Sequence, residues 1–261
     1  MVDSQRDRTY PESAEENLMH LMNCSLLAAE TPRSIVYLEK FASQGIKFGS
    51  IILLRNPNKT LDLEVIRIKV KSLNEDTSSL HPPDFKKSLE QLADQVSDKV
   101  TIIETSSIKD DLILQKLRDL KPKFTIYSGF GGQIVPKALL CETRFIHAHA
   151  GWLPEYRGST TIYYSLIDRN DCAVSVIELK PKIDTGDILA RKRYSAPISG
   201  VDIDYIYDNQ IRADLLSETL GSYSENKEFD MIVSQNEKKS TTYYVIHPLL
   251  KHLAILSISN E

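Results

Sequence analysis

His147 and His149 stand one residue apart in the run Phe145-Ile146-His147-Ala148-His149, and Asp184 follows thirty-five residues after His149. An imidazole gains or loses a proton near neutral pH, so two of them beside a carboxylate make a set for acid–base chemistry. On a strand, successive side chains alternate between faces. The two histidines then share one face, and Ile146 and Ala148 share the other. The segment that follows, from Ala150 through Pro154 to Gly158, is punctuated by Gly and Pro and predicts a loop. Loops at the carboxyl ends of strands are where open α/β sheets bind ligands. Two plainer readings stay open: a hydrogen-bonded structural pair of histidines, and a glycine turn at Ile183-Asp184-Thr185-Gly186 whose Asp caps its own backbone. A third reading is metal ligation, with His147, His149 and Asp184 serving a hydrolase.

Together these segments resemble the folate-dependent formyltransferases, the family of the glycinamide ribonucleotide, methionyl-tRNA and amino-sugar enzymes. The family pattern runs Asn-x-His, then Leu-Pro-x-Tyr-Arg-Gly, then Asp-x-Gly. Here it corresponds to His147-Ala148-His149, to Leu153-Pro154-Glu155-Tyr156-Arg157-Gly158, and to Asp184-Thr185-Gly186. The likeness extends upstream to Tyr127-Ser128-Gly129 and Gln133-Ile134-Val135-Pro136. It is best over residues 100–195, rests on topology before that, and is poor in the tail. One position departs: where the family has an Asn that hydrogen-bonds the formyl oxygen, this chain has His147.

The resemblance implies an N-formyltransferase that moves a formyl group from 10-formyltetrahydrofolate to the amine of a small acceptor, with no metal. Its catalytic residues would be His149, Asp184 and His147. His149 would carry a proton between the incoming and leaving nitrogens, Asp184 would orient it, and His147 would donate to the developing oxyanion. Gly129, Gly131, Gly132, Ile134 and Asp184 would line the folate site. Tyr156, Arg157 and Gly158 would meet the acceptor, although Arg157 is equally suited to anchor its loop. A non-catalytic folate- or amine-binding relative is a further alternative, because the family's Asn is missing. A nicotinamide dinucleotide is not expected: there is no G-x-G-x-x-G, and the first βα turn, Ala28-Ala29-Glu30-Thr31, has no glycine.

The elements that must position these residues follow from apolar periodicity. Strand-length apolar runs alternate with amphipathic stretches, which predicts an α/β fold with a mostly parallel sheet flanked by helices. The resemblance makes that fold Rossmann-like, with a short C-terminal appendage. Strands are expected at Met19–Leu27, Ser50–Leu54, Val100–Ile103, Phe124–Ser128, Phe145–His149, Val174–Glu178 and Ile188–Tyr194. A short helix is the alternative for the first of these. Thr31-Pro32 predicts an N-cap with proline in the first turn of a helix that stops near Gly45. Further helices are expected at Ile108–Leu120, Pro136–Leu140, Thr160–Ile167 and Asp202–Leu220. Residues 72–99 read as loop plus a surface helix. Domain bounds are expected at 1–16 for a polar arm, 17–220 for the catalytic domain and 221–261 for the appendage. In the appendage, Tyr243-Tyr244 predicts a strand and His247-Pro248 a turn. Arg191-Lys192-Arg193 reads as a solvated strand edge. His20, His81, His247 and His252 stand outside the chemistry.

Composition sets the outer limits. The chain has 261 residues, 32 Lys+Arg against 36 Asp+Glu, and 41% hydrophobic residues, which excludes a disordered or collagen-like chain. No apolar run approaches the ~18 residues of a membrane span. Residues 1–16 lack the apolar core of a secretory signal, so a cytoplasmic protein is expected, with no membrane partner. Cys24, Cys141 and Cys172 are expected to be reduced core residues. In residues 195–261 there are 5 Lys+Arg against 10 Asp+Glu. A tRNA-binding appendage would be basic, so no nucleic-acid partner is expected. The acceptor is then a small amine, and the resemblance favours an amino sugar carried on a nucleotide. A homodimer is the oligomeric state to test.

Overall fold

The structure, a computed structural model, describes residues 18–71, 80, 83–229, 233–235 and 240–258. The arm expected at 1–16 and His81 lie outside the described residues. The chain runs β1 (Met19–Ala29), α1 (Pro32–Ser43), β2 (Ile46–Arg55), α2 (Leu63–Lys71), α3 (Leu89–Val96), β3 (Val100–Glu104), α4 (Asp111–Leu120), β4 (Phe124–Ser128) and α5 (Lys137–Leu140). It continues through β5 (Arg144–His149), β6 (Tyr156–Gly158), α6 (Thr161–Arg169), β7 (Asp171–Glu178), β8 (Ile188–Ser195), α7 (Asp208–Asn226), β9 (Thr241–Tyr243) and α8 (Pro248–Leu256).

Seven strands form one sheet in the order β3-β2-β1-β4-β5-β7-β8. The first five in that order pair in parallel, and β7 and β8 are antiparallel additions at the β5 side. The mostly parallel α/β sheet expected from the sequence is therefore present. After β1 the chain builds outward through β2 and β3, then returns to place β4 and β5 on the other side of β1. The strand order thus reverses between β1 and β4, and their carboxyl ends flank the crevice where such sheets bind ligands.

Alternation along the strands divides the core into two layers. Leu26, Ala28, Ile51 and Leu53 pack with Ile35, Leu38, Phe41, Leu216 and Leu220 from α1 and α7. Leu27, Ala29, Ile52 and Leu54 face the other way, onto Ile113 and Leu117 of α4 and Leu139 of α5. Strands buried on both faces read as continuous apolar runs, which is why β1 and β2 lack a polar alternation.

Several boundaries differ from expectation. β1 is the strand expected there, not its helical alternative, and runs to Ala29, two residues beyond the expected Leu27, pairing with both β2 and β4. The stretch expected as loop plus surface helix contains α3, whose Leu89, Leu92, Ala93 and Val96 are buried, so that helix faces the core. The long helix expected from Asp202 opens with a π-helical turn at Ile203–Tyr207, and its α-helical part continues to Asn226. His247-Pro248 starts α8, with the His247 side chain accepting the Leu249 amide and proline in the first turn. Cys24 and Cys172 are buried, but Cys141, just after α5, is exposed and not a core residue. No helix among the described residues is long and apolar enough to cross a membrane.

Candidate active site

The carboxyl end of β5 carries both histidines. Ile146 and Ala148 pack into the α1/α7 layer of the core, while His147 and His149 emerge on the opposite side. The His147 ring lies edge-on to Tyr127 of the neighbouring β4, with centroids 5.8 Å apart. Its Nδ1 is 3.2 Å from the Tyr127 carbonyl oxygen. A carbonyl only accepts, so Nδ1 carries the proton and donates. In the neutral ring the lone pair is then on Nε2, which has no hydrogen-bond partner among the described residues. Burial, reinforced by the guanidinium groups of Arg33 and Arg212, holds this imidazole well below the usual histidine range. His147 is therefore neutral near pH 7, and its free nitrogen accepts a hydrogen bond.

His149 is 4% exposed. Its Nε2 donates to the Tyr156 carbonyl at 2.7 Å, and its Nδ1 lies 3.5 Å from Oδ2 of Asp184. Both ring nitrogens face oxygen acceptors, and a ring with one proton can serve only one of them. Gly151 makes this approach possible. A Cβ there would fall 2.7 Å from the Tyr156 carbonyl oxygen and 2.8 Å from His149 Nε2.

Asp184 is 8% exposed and sits at φ 49°, a left-handed conformation that Asp tolerates better than most residues but that still carries strain. Its Oδ2 accepts the Gly158 amide at 2.9 Å. Gln235 donates to the carbonyl oxygens of Asp184 (3.0 Å) and Gly186 (2.6 Å), which clamps the turn. The sequence offered no sign of Gln235, since a lone glutamine in a polar tail has no motif.

The residues expected to meet the acceptor have structural work here. Arg157 is 4% exposed and donates to Gln235 Oε1 (3.1 and 2.7 Å) and Ser240 Oγ (2.9 Å), the loop-anchor arrangement of its two expected roles. Tyr156 is buried, bonds Asp168 through its hydroxyl and stacks on Tyr243 with ring centroids 5.5 Å apart. Gly158 sits at φ +101°, and a Cβ there would lie 2.0 Å from the Tyr243 carbonyl oxygen. Only glycine allows β6 to pair with β9 at that point. The edge triplet is likewise engaged: Arg191 and Arg193 each lie 4.4 Å from the Trp152 ring centroid, and Lys192 bonds Asp214 and Glu218.

Gly129, at the start of the loop after β4, is closed in, since a Cβ there would fall 2.3 Å from the Tyr127 side chain; the loop opens beyond it. A Cβ on Gly131 or Gly132 would meet nothing within 4 Å, Gly132 has φ +75°, and Ile134 is 56% exposed. Bare backbone beside an exposed aliphatic side chain suits a flat, hydrogen-bonding heterocycle, so these residues fit a pterin ring. Among the described residues no three His, Cys, Asp or Glu side chains are grouped to hold a metal ion. The donor set agrees, because the nitrogens of His149 and Nδ1 of His147 are turned to protein oxygens.

The formyl transferase domain family matches residues 69–208, a span that includes the histidines, the Leu153–Gly158 loop and Asp184. The chain belongs to the formyl transferase family. Among its relatives, methionyl-tRNA formyltransferase of Finegoldia magna is 28% identical over 200 residues, covering 75% of this chain and 60% of that protein. The methionyl-tRNA formyltransferase of Natranaerobius thermophilus is 33% identical over 113 residues, covering 42% of this chain and 34% of that protein. The chain thus spans less than two thirds of the length of these relatives. Solved structures of the same fold include a sugar N-formyltransferase from a Shewanella species (15% identical, TM-score 0.54, covering 90% of this chain and 87% of that one). HypX of Aquifex aeolicus is 13% identical with TM-score 0.55, covering 94% of this chain and 36% of that one. An N-formyltransferase of Helicobacter canadensis, in complex with folinic acid and dTDP-3-aminofucose, is 15% identical with TM-score 0.54 and covers 90% of this chain and 80% of that one. At these identities the likeness is one of fold.

Proposed function

We propose that this formyl transferase family member moves a formyl group from 10-formyltetrahydrofolate to the amine of a small acceptor. The observation that carries the reading is the His149–Asp184 pair at the carboxyl edge of the sheet, with His147 two residues away on the same strand, within the matched family span. The folate supplies an activated formyl carbon and a nitrogen leaving group. The chain's part is to move protons and hold geometry. His147 Nε2, the free lone pair of the pair, takes the proton from the attacking amine as the carbon–nitrogen bond forms. This role differs from the oxyanion donor expected of His147, because the donor nitrogen of that ring is spent on Tyr127. Arg33 and Arg212 keep the ring weakly basic, so the proton is readily released. His149, carrying a proton on each nitrogen with Nδ1–H directed at Asp184, parts from the Tyr156 carbonyl to deliver its Nε2 proton to the leaving nitrogen, and the proton released by His147 restores it. The Gly129–Gly132 loop, Ile134 and the Asp184 turn receive the folate. Tyr156, Arg157 and Gly158 act on the acceptor through the shape of the loop they hold.

A nucleotide-linked amino sugar is the first acceptor class to test, supported by the fold shared with the sugar N-formyltransferases. Methionyl-tRNA is the second, favoured by the names of the relatives and opposed by the acidic balance of residues 195–261. The test incubates the chain with 10-formyltetrahydrofolate and a panel of amines that includes both, following tetrahydrofolate release. Release that depends on an amine supports transfer, and the productive amine names the class. Release at the same rate without any amine would refute it.

A further inference from the structure

At the reversal point between β1 and β4, beside His147, lies a group of polar side chains whose unpartnered donors the transfer chemistry above leaves unused. Arg33, in the first turn of α1, donates from Nε to Ser128 Oγ (3.3 Å) and from Nη2 to the Gly129 carbonyl. Arg212, on α7, donates from Nε to Asp208 Oδ2 (3.0 Å) and from Nη1 to the Ala148 carbonyl (2.7 Å). Nη1 of Arg33 and Nη2 of Arg212 have no hydrogen-bond partner among the described residues. Tyr37, one turn after Arg33, is 0% exposed, and its hydroxyl is buried without a partner. The Tyr127 hydroxyl and Asp208 Oδ1 are also buried without partners. α1, which carries Arg33 and Tyr37, packs against α7, which carries Asp208 and Arg212, and Tyr37 lies within the electrostatic reach of the other three.

The charges of this cluster do not cancel. Arg33 and Arg212 face Asp208, and Asp184 also acts on Arg212 but is engaged by the Gly158 amide and by His149, while His147 is neutral; one guanidinium is left without a carboxylate of its own in a largely desolvated site. Buried charges and buried hydroxyls are costly without partners, and native sites satisfy them. One negative charge with several lone pairs, presented to two guanidinium edges and a phenol, would satisfy these donors, while Asp208 Oδ1, itself an acceptor, stays outside the site. A carboxylate has that charge and that number of acceptor sites. A phosphate dianion would over-compensate and is larger. Arg33, Arg212 and His147 are only half-buried, so the space is reached from the crevice.

We propose that Arg33, Arg212 and Tyr37 form a subsite for a single carboxylate carried by the acceptor, seated beside His147 so that the acceptor's amine is held toward the histidines. The proposal deepens the transfer reading and rests on it for the word acceptor; the anion site itself does not need turnover. It narrows the acceptor to amines that bear a carboxylate, amino-sugar acids and amino acids among them.

The test measures binding of acetate to the full chain, with acetamide and inorganic phosphate as controls, by the shift of the His147 ring-nitrogen NMR signals. Acetate should bind and shift them, acetamide should not, and phosphate should bind more weakly. Tyr37→Phe removes only the unpartnered hydroxyl. Acetate should bind it roughly 10- to 100-fold more weakly, while thermal stability stays equal or rises. Arg33→Met should show a loss of the same order, which covers the case of a poorly folding Tyr37 variant. Equal binding of acetate and acetamide, tighter phosphate, or unchanged acetate affinity in a folded variant overturns the subsite. If acetate behaves as expected and no amine supports tetrahydrofolate release, the subsite stands and the transfer reading fails.

Discussion

The Tyr127 carbonyl, 3.2 Å from Nδ1 of His147, decides which nitrogen of that ring faces the reaction space. With the proton held at Nδ1, a lone pair at Nε2 is what a substrate meets. An asparagine at this position would present an amide donor instead, so the exchange of residue changes the sign of the interaction.

The first consequence concerns pH. Burial, with Arg33 and Arg212, keeps His147 well below the usual histidine range, so it stays unprotonated down to mildly acidic pH. The acid limb of kcat/KM should therefore lie below pH ~6.5, the unperturbed histidine value. In Arg33→Met one neighbouring cation is lost, the imidazolium becomes easier to form, and the limb should move up. A limb that stays in place in the variant would show that another group sets it.

Loss of the proton carrier should be severe and separable from loss of fold. His149→Ala should lower turnover roughly 10²- to 10⁴-fold, the range for lost acid–base catalysis. Asp184→Asn should have a smaller effect on turnover, because an amide still reaches the Gly158 amide through its oxygen but cannot compensate an imidazolium. Thermal melts of both variants provide the control, and unchanged turnover in His149→Ala would remove that residue from the mechanism.

Gln235 links the tail to the site. It accepts two bonds from buried Arg157 and donates to the carbonyls of Asp184 and Gly186. Gln235→Ala should destabilise the chain by about 1–3 kcal/mol, the cost of stranding such groups. It should also lower turnover by loosening Asp184. A urea titration and a rate measured well below the denaturation midpoint separate the two effects, and a normal rate in the folded variant would confine Gln235 to stability.

What the sequence revealed and what it hid have physical reasons. β4 was legible to the residue, because Phe124–Ser128 is a short apolar run between Pro122 and Gly129. The start of α1 was legible because Thr31 caps it and Pro32 fits its first turn. His147, His149 and Asp184 could be paired only through a motif, since thirty-five residues and an antiparallel strand separate the last two. Arg33, Tyr37, Asp208 and Arg212 carried no motif: each is an ordinary i,i+4 pair on a helix, and only the sheet's reversal point brings them together. Gly151 and Gly158 were visible as turn residues, but the close backbone approaches that require them were not.

Glu39 offers the last prediction, one of stability and not of rate. Its carboxylate oxygens accept the amides of Asp84 (3.2 Å) and Phe85 (2.9 Å), tying α1 to the segment that leads into α3. Burial, with the nearby Asp84 carboxylate, pushes its carboxyl up to about 7 from an ordinary 4.5. A carboxyl whose pKa is raised on folding binds its proton more tightly in the folded state. The stability linked to that proton is full below about 4.5 and is lost as pH rises through about 7. Urea midpoints should therefore fall between about pH 5 and about pH 8. Glu39→Gln keeps an oxygen acceptor but cannot ionise, so its midpoint should be flatter over the same range. A variant that retains the full decline would place the titrating group elsewhere.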